Sequence, residues 1–184
     1  MQSAHLEKPV GEHDHSIGLG TAPVTLVEYG DFECPHCGRA HPIIQAVRRF
    51  MDDRLRFVFR HFPLSDAHPH AEHAAEAAEA AAAQGRFWEM HDALFEHQDA
   101  LEDEDLEMYA AKIGIDALRV ARELAAATYA KRVRDDFRGG IRSGVNGTPT
   151  FFINGARYDG NWTDPDEFMQ ALTEAATQVH VGAP

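Results

Sequence analysis

The chain has 184 residues, enough for one domain or one domain with a large insertion, and 44% are apolar, which supplies a core without disulfide or metal staples. Thirty acidic against 17 basic residues give a net charge of −13, excluding a general nucleic-acid or anionic-membrane binder, since both need a positive footprint. No apolar run reaches the roughly 18 residues of a membrane span.

Residues 1–22 are polar, carry His5, His13 and His15, and read as a flexible or draped arm. The opening MQSAHLEKPVGEHDH lacks the basic-then-apolar pattern of a secretion signal. The expectation is a cytoplasmic protein, or a periplasmic or extracellular one if a signal has been removed. The apolar run Val24 to Tyr29 predicts a strand, and the loop Gly30 to Glu33 leads to a helix over about Pro35 to Met51. Pro35 fits its first turn, where the missing amide has no helical partner. Ile43, Ile44, Val47 and Phe50 form the expected inner face, and Pro42 is expected to bend the helix.

Leu55 to His61 alternates as a second strand, which Phe62-Pro63-Leu64 ends, leaving His61 half buried in a loop. From about residue 66 to 143 the pattern is helical. An alanine-rich stretch over 67–83 offers a small-residue face, followed by stripes through Phe87, Met90 and Leu94 and through Leu106, Tyr109 and Ile113. Residues 116–138 make one helix or two. Strand character returns at Thr150 to Ile153, with the Asn154-Gly155 turn and a short strand over Ala156 to Tyr158. Thr163 or Asp164 can cap a last helix that starts near Pro165 and faces inward with Phe168, Leu172 and Ala176.

The chain's two cysteines, Cys34 and Cys37, are separated by Pro35 and His36 and sit after a strand, where a helix begins. That context favours a redox dithiol over the four letters alone. Cys34 falls at the helix N-terminus, where free amides and the dipole stabilise a thiolate, so it takes the attacking role. Cys37, one turn further in, takes the resolving role, and an imidazolium at His36 favours the Cys34 thiolate. Asp31 and Glu33 oppose it. Two other readings stay open: reduced core cysteines, and a structural zinc site using Cys34, Cys37 and His36 or His41. Zinc is disfavoured because no second pair has orthodox ligand spacing. His68, His70 and His73, with Glu76 and Glu79 continuing the pattern, read as a solvated polar face, with a transition-metal patch as the alternative.

The run Val24 to Tyr29, the centre Cys34-Pro35-His36-Cys37 and the stretch Gly147-Thr148-Pro149-Thr150-Phe151-Phe152-Ile153-Asn154-Gly155 together resemble the thioredoxin superfamily. The similarity is to its DsbA-like branch, over roughly residues 15 to 180. The pattern also resembles the thioredoxin-like domains fused to some bacterial sodium/proton antiporters. The resemblance implies an α/β thioredoxin fold, a central mixed sheet flanked by helices, with a large all-helical insertion. Residues 23–65 and 144–180 would form the core, 66–143 the insertion and 1–22 the arm.

For the site, the resemblance implies that Pro149 is the family's cis-proline facing the dithiol. Thr148 would pair its backbone with an extended substrate, and Gly147 would leave room for it. Glu28 matches the family's buried acid, which exchanges a proton with Cys37. The activity implied is disulfide exchange with protein or peptide thiols, with an unidentified redox partner, no cofactor and no metal. An oxidising direction follows from the CPHC centre, whereas Thr148 before the proline goes with weaker oxidants and isomerases. A reductase or isomerase is therefore the alternative, as is a non-catalytic peptide-binding or chaperone module. A monomer is expected, with a dimer left open.

Overall fold

Strand β2 (Val24–Gly30) is the spine of the sheet: Val24, Leu26, Val27 and Tyr29 are fully buried. A strand covered on both faces needs such a nearly continuous apolar run rather than alternation. The structure is a computed structural model that describes residues 4–181, so the first three residues of the predicted arm lie outside the described residues. By its internal contacts the chain divides into two compact units, one of residues 1–29, 39–60 and 139–184, the other of residues 30–38 and 61–138.

The first unit holds the sheet. Its strands β1 (His15–Ile17), β2, β3 (Leu55–His61), β4 (Thr150–Ile153) and β5 (Ala156–Tyr158) lie in the order β1-β3-β2-β4-β5. β1 runs antiparallel to β3, β4 to β2 and β5 to β4, and Asn154 and Gly155 make the β4–β5 turn with positive φ. The sheet is mixed because β2 and β3 are joined by a crossover helix, α1 (Pro35–Met51). α1 runs unbroken through Pro42.

Its buried stripe is Ala40, Ile44, Val47 and Met51, a spacing of four, three and four residues. Phe50, predicted on that face, is 60% exposed instead, because Met51 completes the stripe and turns Phe50 outward. The Arg54 guanidinium lies 5.7 Å from the Phe50 ring centre. A second difference concerns the polar N-terminal segment, which contributes β1. Just before it, Asp14 accepts two hydrogen bonds from Arg60 of β3, at 2.8 and 3.0 Å. Arg60 also donates to the carbonyls of Lys8 and Pro9 and to the Tyr29 hydroxyl, so the buried guanidinium is fully satisfied. Residues 4–7 continue along the sheet edge, where Leu6 N donates to Gly155 O and Arg157 N to Ala4 O.

The second unit is helical, built from α2 (Ala71–Ala82), α3 (Phe87–Glu96), α4 (Asp103–Lys112), α5 (Ala117–Ala125) and most of α6 (Ala130–Arg142). α2 packs against α3, α4 and α5. Ala71, Ala74, Ala75, Ala77, Ala78, Ala80 and Ala81 are its buried small residues, and they let the helices approach closely. α4 begins with a reciprocal capping box between Glu102 and Asp105, and the Asp116 carboxylate caps α5 by accepting from Arg119 N. Ala127, at φ 48°, divides residues 116–138 into two helices. In the first unit, α7 (Pro165–Val181) is capped by Asp164, whose carboxylate accepts from the amides of Asp166 and Glu167. Phe168, Leu172 and Ala176 form its buried face. Among the described residues no helix is long and apolar enough to cross a membrane.

Candidate functional site

The second unit contains the whole Cys-x-x-Cys segment. Cys34 immediately precedes α1, with its amide donating to Asp31 O at 3.2 Å and its carbonyl accepting from Gly38 N at 3.1 Å. These bonds fold the chain into the first helical turn and bring Cys34 and Cys37 to 4.0 Å. Cys34 is 3% exposed and Cys37 fully buried, so the difference in access has the expected sign but is small. Pro35 and His36 lie between them on the exposed side of the turn.

Phe32 anchors the loop from below. Its buried ring lies 4.9 Å from the Phe95 ring, 5.7 Å from His91 and 6.0 Å from His61, each aromatic pair contributing about 0.5–1.5 kcal/mol beyond area burial. Gln98 holds the same loop from the side: its Nε2 donates to Phe32 O at 2.7 Å and to Cys34 O at 2.9 Å. Gly38 leaves room for this amide, because a Cβ at that position would fall 1.9 Å from Gln98 Oε1 and push the side chain aside.

Asp31 and Glu33 each meet a histidine. The Asp31 carboxylate accepts from the amides of Glu33 and Leu64, both at 2.8 Å, and from His68 Nδ1 at 2.7 Å. Glu33 accepts from the His70 amide at 2.7 Å and from its Nδ1 at 3.0 Å. Burial pulls the His68 pKa down, but the bond to Asp31 and the negative charges of Asp31, Cys34 and Glu33 outweigh it and raise it above the usual imidazole value. The bond to Glu33 raises that of His70 against a weaker desolvation.

The three histidines of 68–73 each meet a different carboxylate, His73 Nδ1 going to Asp103 at 2.7 Å; His73 is solvated as expected, whereas His68 is largely covered. Glu76 and Glu79 are buried rather than solvated, and His61 is 1% exposed rather than half buried, its Nε2 2.8 Å from Glu79 Oε1. One local signal matches the acid–histidine pairs: two acids two residues apart, and two histidines two residues apart after a strand end. Gln98 has no such signal, because its partners are backbone carbonyls over 60 residues away.

The remaining predicted site residues belong to the first unit. Glu28, 2% exposed, stands opposite Phe151 in the β2–β4 ladder, and the next pair is Tyr29 with Thr150. Gly147, Thr148 and Pro149 thus enter the sheet just beyond that pair. The Thr148–Pro149 peptide bond is cis, and Thr150 Oγ1 donates to Gly147 O at 2.7 Å.

A five-stranded mixed sheet, a Cys-x-x-Cys opening the crossover helix and a helical block between β3 and β4 define a thioredoxin fold of the DsbA-like kind. Solved structures share it. BdbD from Bacillus subtilis superposes with a TM-score of 0.84 over 96% of this chain and all of its own, at 24% identity. A thioredoxin-like oxidoreductase from Silicibacter pomeroyi superposes with a TM-score of 0.78 over 94% of this chain and 95% of its own, at 25% identity. The chain belongs to the family whose model is described as thioredoxin, which matches residues 11–174. Among curated relatives, a protein named Na(+)/H(+) antiporter NhaA 1 from Salinispora arenicola is 48% identical over 173 residues, or 93% of this chain and 25% of its own length. One of the same name from a Mycobacterium species is 48% identical over 170 residues, 91% of this chain and 28% of its own. The chain thus spans about a quarter of the length of these relatives.

Proposed function

We propose that the protein is a thiol–disulfide oxidoreductase acting on protein or peptide substrates through Cys34 and Cys37, in the oxidising direction. The observation that carries this reading is the pair of cysteines 4.0 Å apart at the start of α1 in a chain of the thioredoxin family. In the oxidised enzyme, a substrate thiolate attacks Cys34 Sγ, the Cys34–Cys37 bond breaks, and Cys37 leaves as a thiolate. A second substrate thiol, losing its proton, attacks the substrate sulfur of the mixed disulfide and expels the Cys34 thiolate. The substrate gains a disulfide, and the two electrons remain on the enzyme dithiol. Cys34 is the better leaving group because it sits at the helix N-terminus, with His36 beside it in the same turn.

Pro35 shapes that turn. Glu28 is the buried carboxyl assigned to the proton of the Cys37 step. Thr148 and Pro149, with Gly147 ahead of them, supply backbone for an extended substrate strand. Equilibration with graded glutathione buffers, read by thiol trapping, tests the reading: the expected potential is about −120 to −200 mV, by the range of such dithiols. A value below about −250 mV would leave a reductase instead. The carboxylates at Asp31 and Glu33 are what favour that second reading.

A further inference from the structure

The acidic loop ahead of Cys34 poses a problem for the chemistry just proposed. Asp31 is buried, and its charge opposes a thiolate on a residue whose amide bonds to its own carbonyl. Relief by solvent is small, since the Asp31 side chain has no exposed surface. The group that meets Asp31 comes from the segment between β3 and α2, where His68 Nδ1 lies 2.7 Å from Oδ2 with the imidazole 18% exposed.

We propose that His68 is a positioning residue for the dithiol, acting through Asp31: as imidazolium it closes a neutral ion pair and removes the field opposing the Cys34 thiolate. As neutral imidazole it leaves the carboxylate a net negative charge, held by the amides of Glu33 and Leu64. This rests on the assignment of Cys34 as the attacking thiol. The groups facing His68 are Asp31, Glu33 and Cys34, all acidic, and each favours its charged form. His70, more exposed, compensates Glu33 in the same way and is the weaker member of the set. The coupling is reciprocal: whatever His68 does for the Cys34 thiolate, the thiolate does for the His68 proton. Cys34 should then gain reactivity on the acid side of neutrality, where an ordinary thiol is inert.

The test has two arms, neither of which needs turnover. In the first, reduced protein is alkylated with iodoacetamide from about pH 5 to pH 9, and Cys34 is read by peptide mapping. His68→Asn keeps a side-chain donor for Asp31 but carries no charge. The expected result is an upward shift of the Cys34 profile, with about a threefold to tenfold slower reaction near pH 6. His68→Lys, which restores a cation, should recover most of the rate. A His68→Asn profile that superimposes on the wild type overturns the proposal.

The second arm uses unaltered protein and so does not depend on the variants folding. His68 is titrated by NMR in the reduced protein and after Cys34 is capped as its neutral carbamidomethyl derivative. A lower midpoint in the capped protein supports the coupling; identical midpoints overturn it. The glutathione equilibration separates this proposal from the functional reading, because a reducing potential sinks the oxidising assignment whatever these profiles show. Conversely, uncoupled titrations sink the role of His68 and leave the redox assignment standing.

Discussion

Gly38 and Gln98 show how one missing side chain can position a reactive loop. At the end of the first turn of α1, alanine would normally add up to about 1 kcal/mol of helix propensity over glycine. Here Gly38→Ala should instead destabilise by about 1–3 kcal/mol, because the new Cβ displaces a Gln98 amide that satisfies two loop carbonyls. In a Gln98→Ala background the same substitution should be neutral or stabilising, and a double-mutant cycle by urea denaturation measures the difference. Additive effects would mean that the two positions are uncoupled. At this scale the sequence revealed Cys34 and Cys37, whose spacing and helix-start context are local. It did not reveal Gln98, His68 or His70, because each acts on residues 31–34 across more than 30 positions of chain.

Elements whose signals are local were legible from their residues. Asn154-Gly155 marked the hairpin, Pro165 after Asp164 marked the start of α7, and β2 announced itself by its nearly continuous apolar run. β1 was hidden because His15-Ser16-Ile17 is not apolar enough to read as a strand; pairing with Phe57 to Phe59 makes it one. What fixes the segment is the Asp14–Arg60 pair. Asp14→Ala should cost about 3–5 kcal/mol, the loss on breaking a buried pair from one side, seen as a lower urea midpoint. α2 hides a penalty of the opposite sense. Burial raises the Glu76 pKa, with His73 opposing and Glu72 adding to it, so the folded state holds that proton more tightly than the unfolded chain. The charged form therefore costs stability once pH rises above the ordinary glutamate value and through the raised folded one. Glu76→Gln should be more stabilising, relative to the native chain, at pH 7 than at pH 4. Thermal unfolding at the two values checks this, and a pH-independent difference would show that Glu76 is not desolvated in solution.

For the molecule as a whole, the oxidising assignment makes a thermodynamic demand: a dithiol that gives up its disulfide readily must be more stable reduced than oxidised. Reduced protein should therefore unfold at a higher temperature than its disulfide form, by scanning calorimetry, the reverse of a stapling disulfide. The fold class was readable because the two cysteines and the Gly147 to Gly155 stretch sit over a hundred residues apart with strands and helices of the right kind between them. The division of contacts was not readable, since it cuts a single helix. The boundary between the units falls between Gly38 and Arg39. There the ladder is already interrupted, because Pro42 has no amide to offer the Gly38 carbonyl. α1 is thus continuous in shape but divided in allegiance. Its opening turn, which holds both cysteines, is tied by Phe32 and Gln98 into the helical unit, whereas the turns after Arg39 belong with the strands. In hydrogen exchange, the backbone amides of Cys37 and Gly38 should open together with α3, and those of residues 43–51 with β2 and β3, so that one rod of helix reports two cooperative units of the protein.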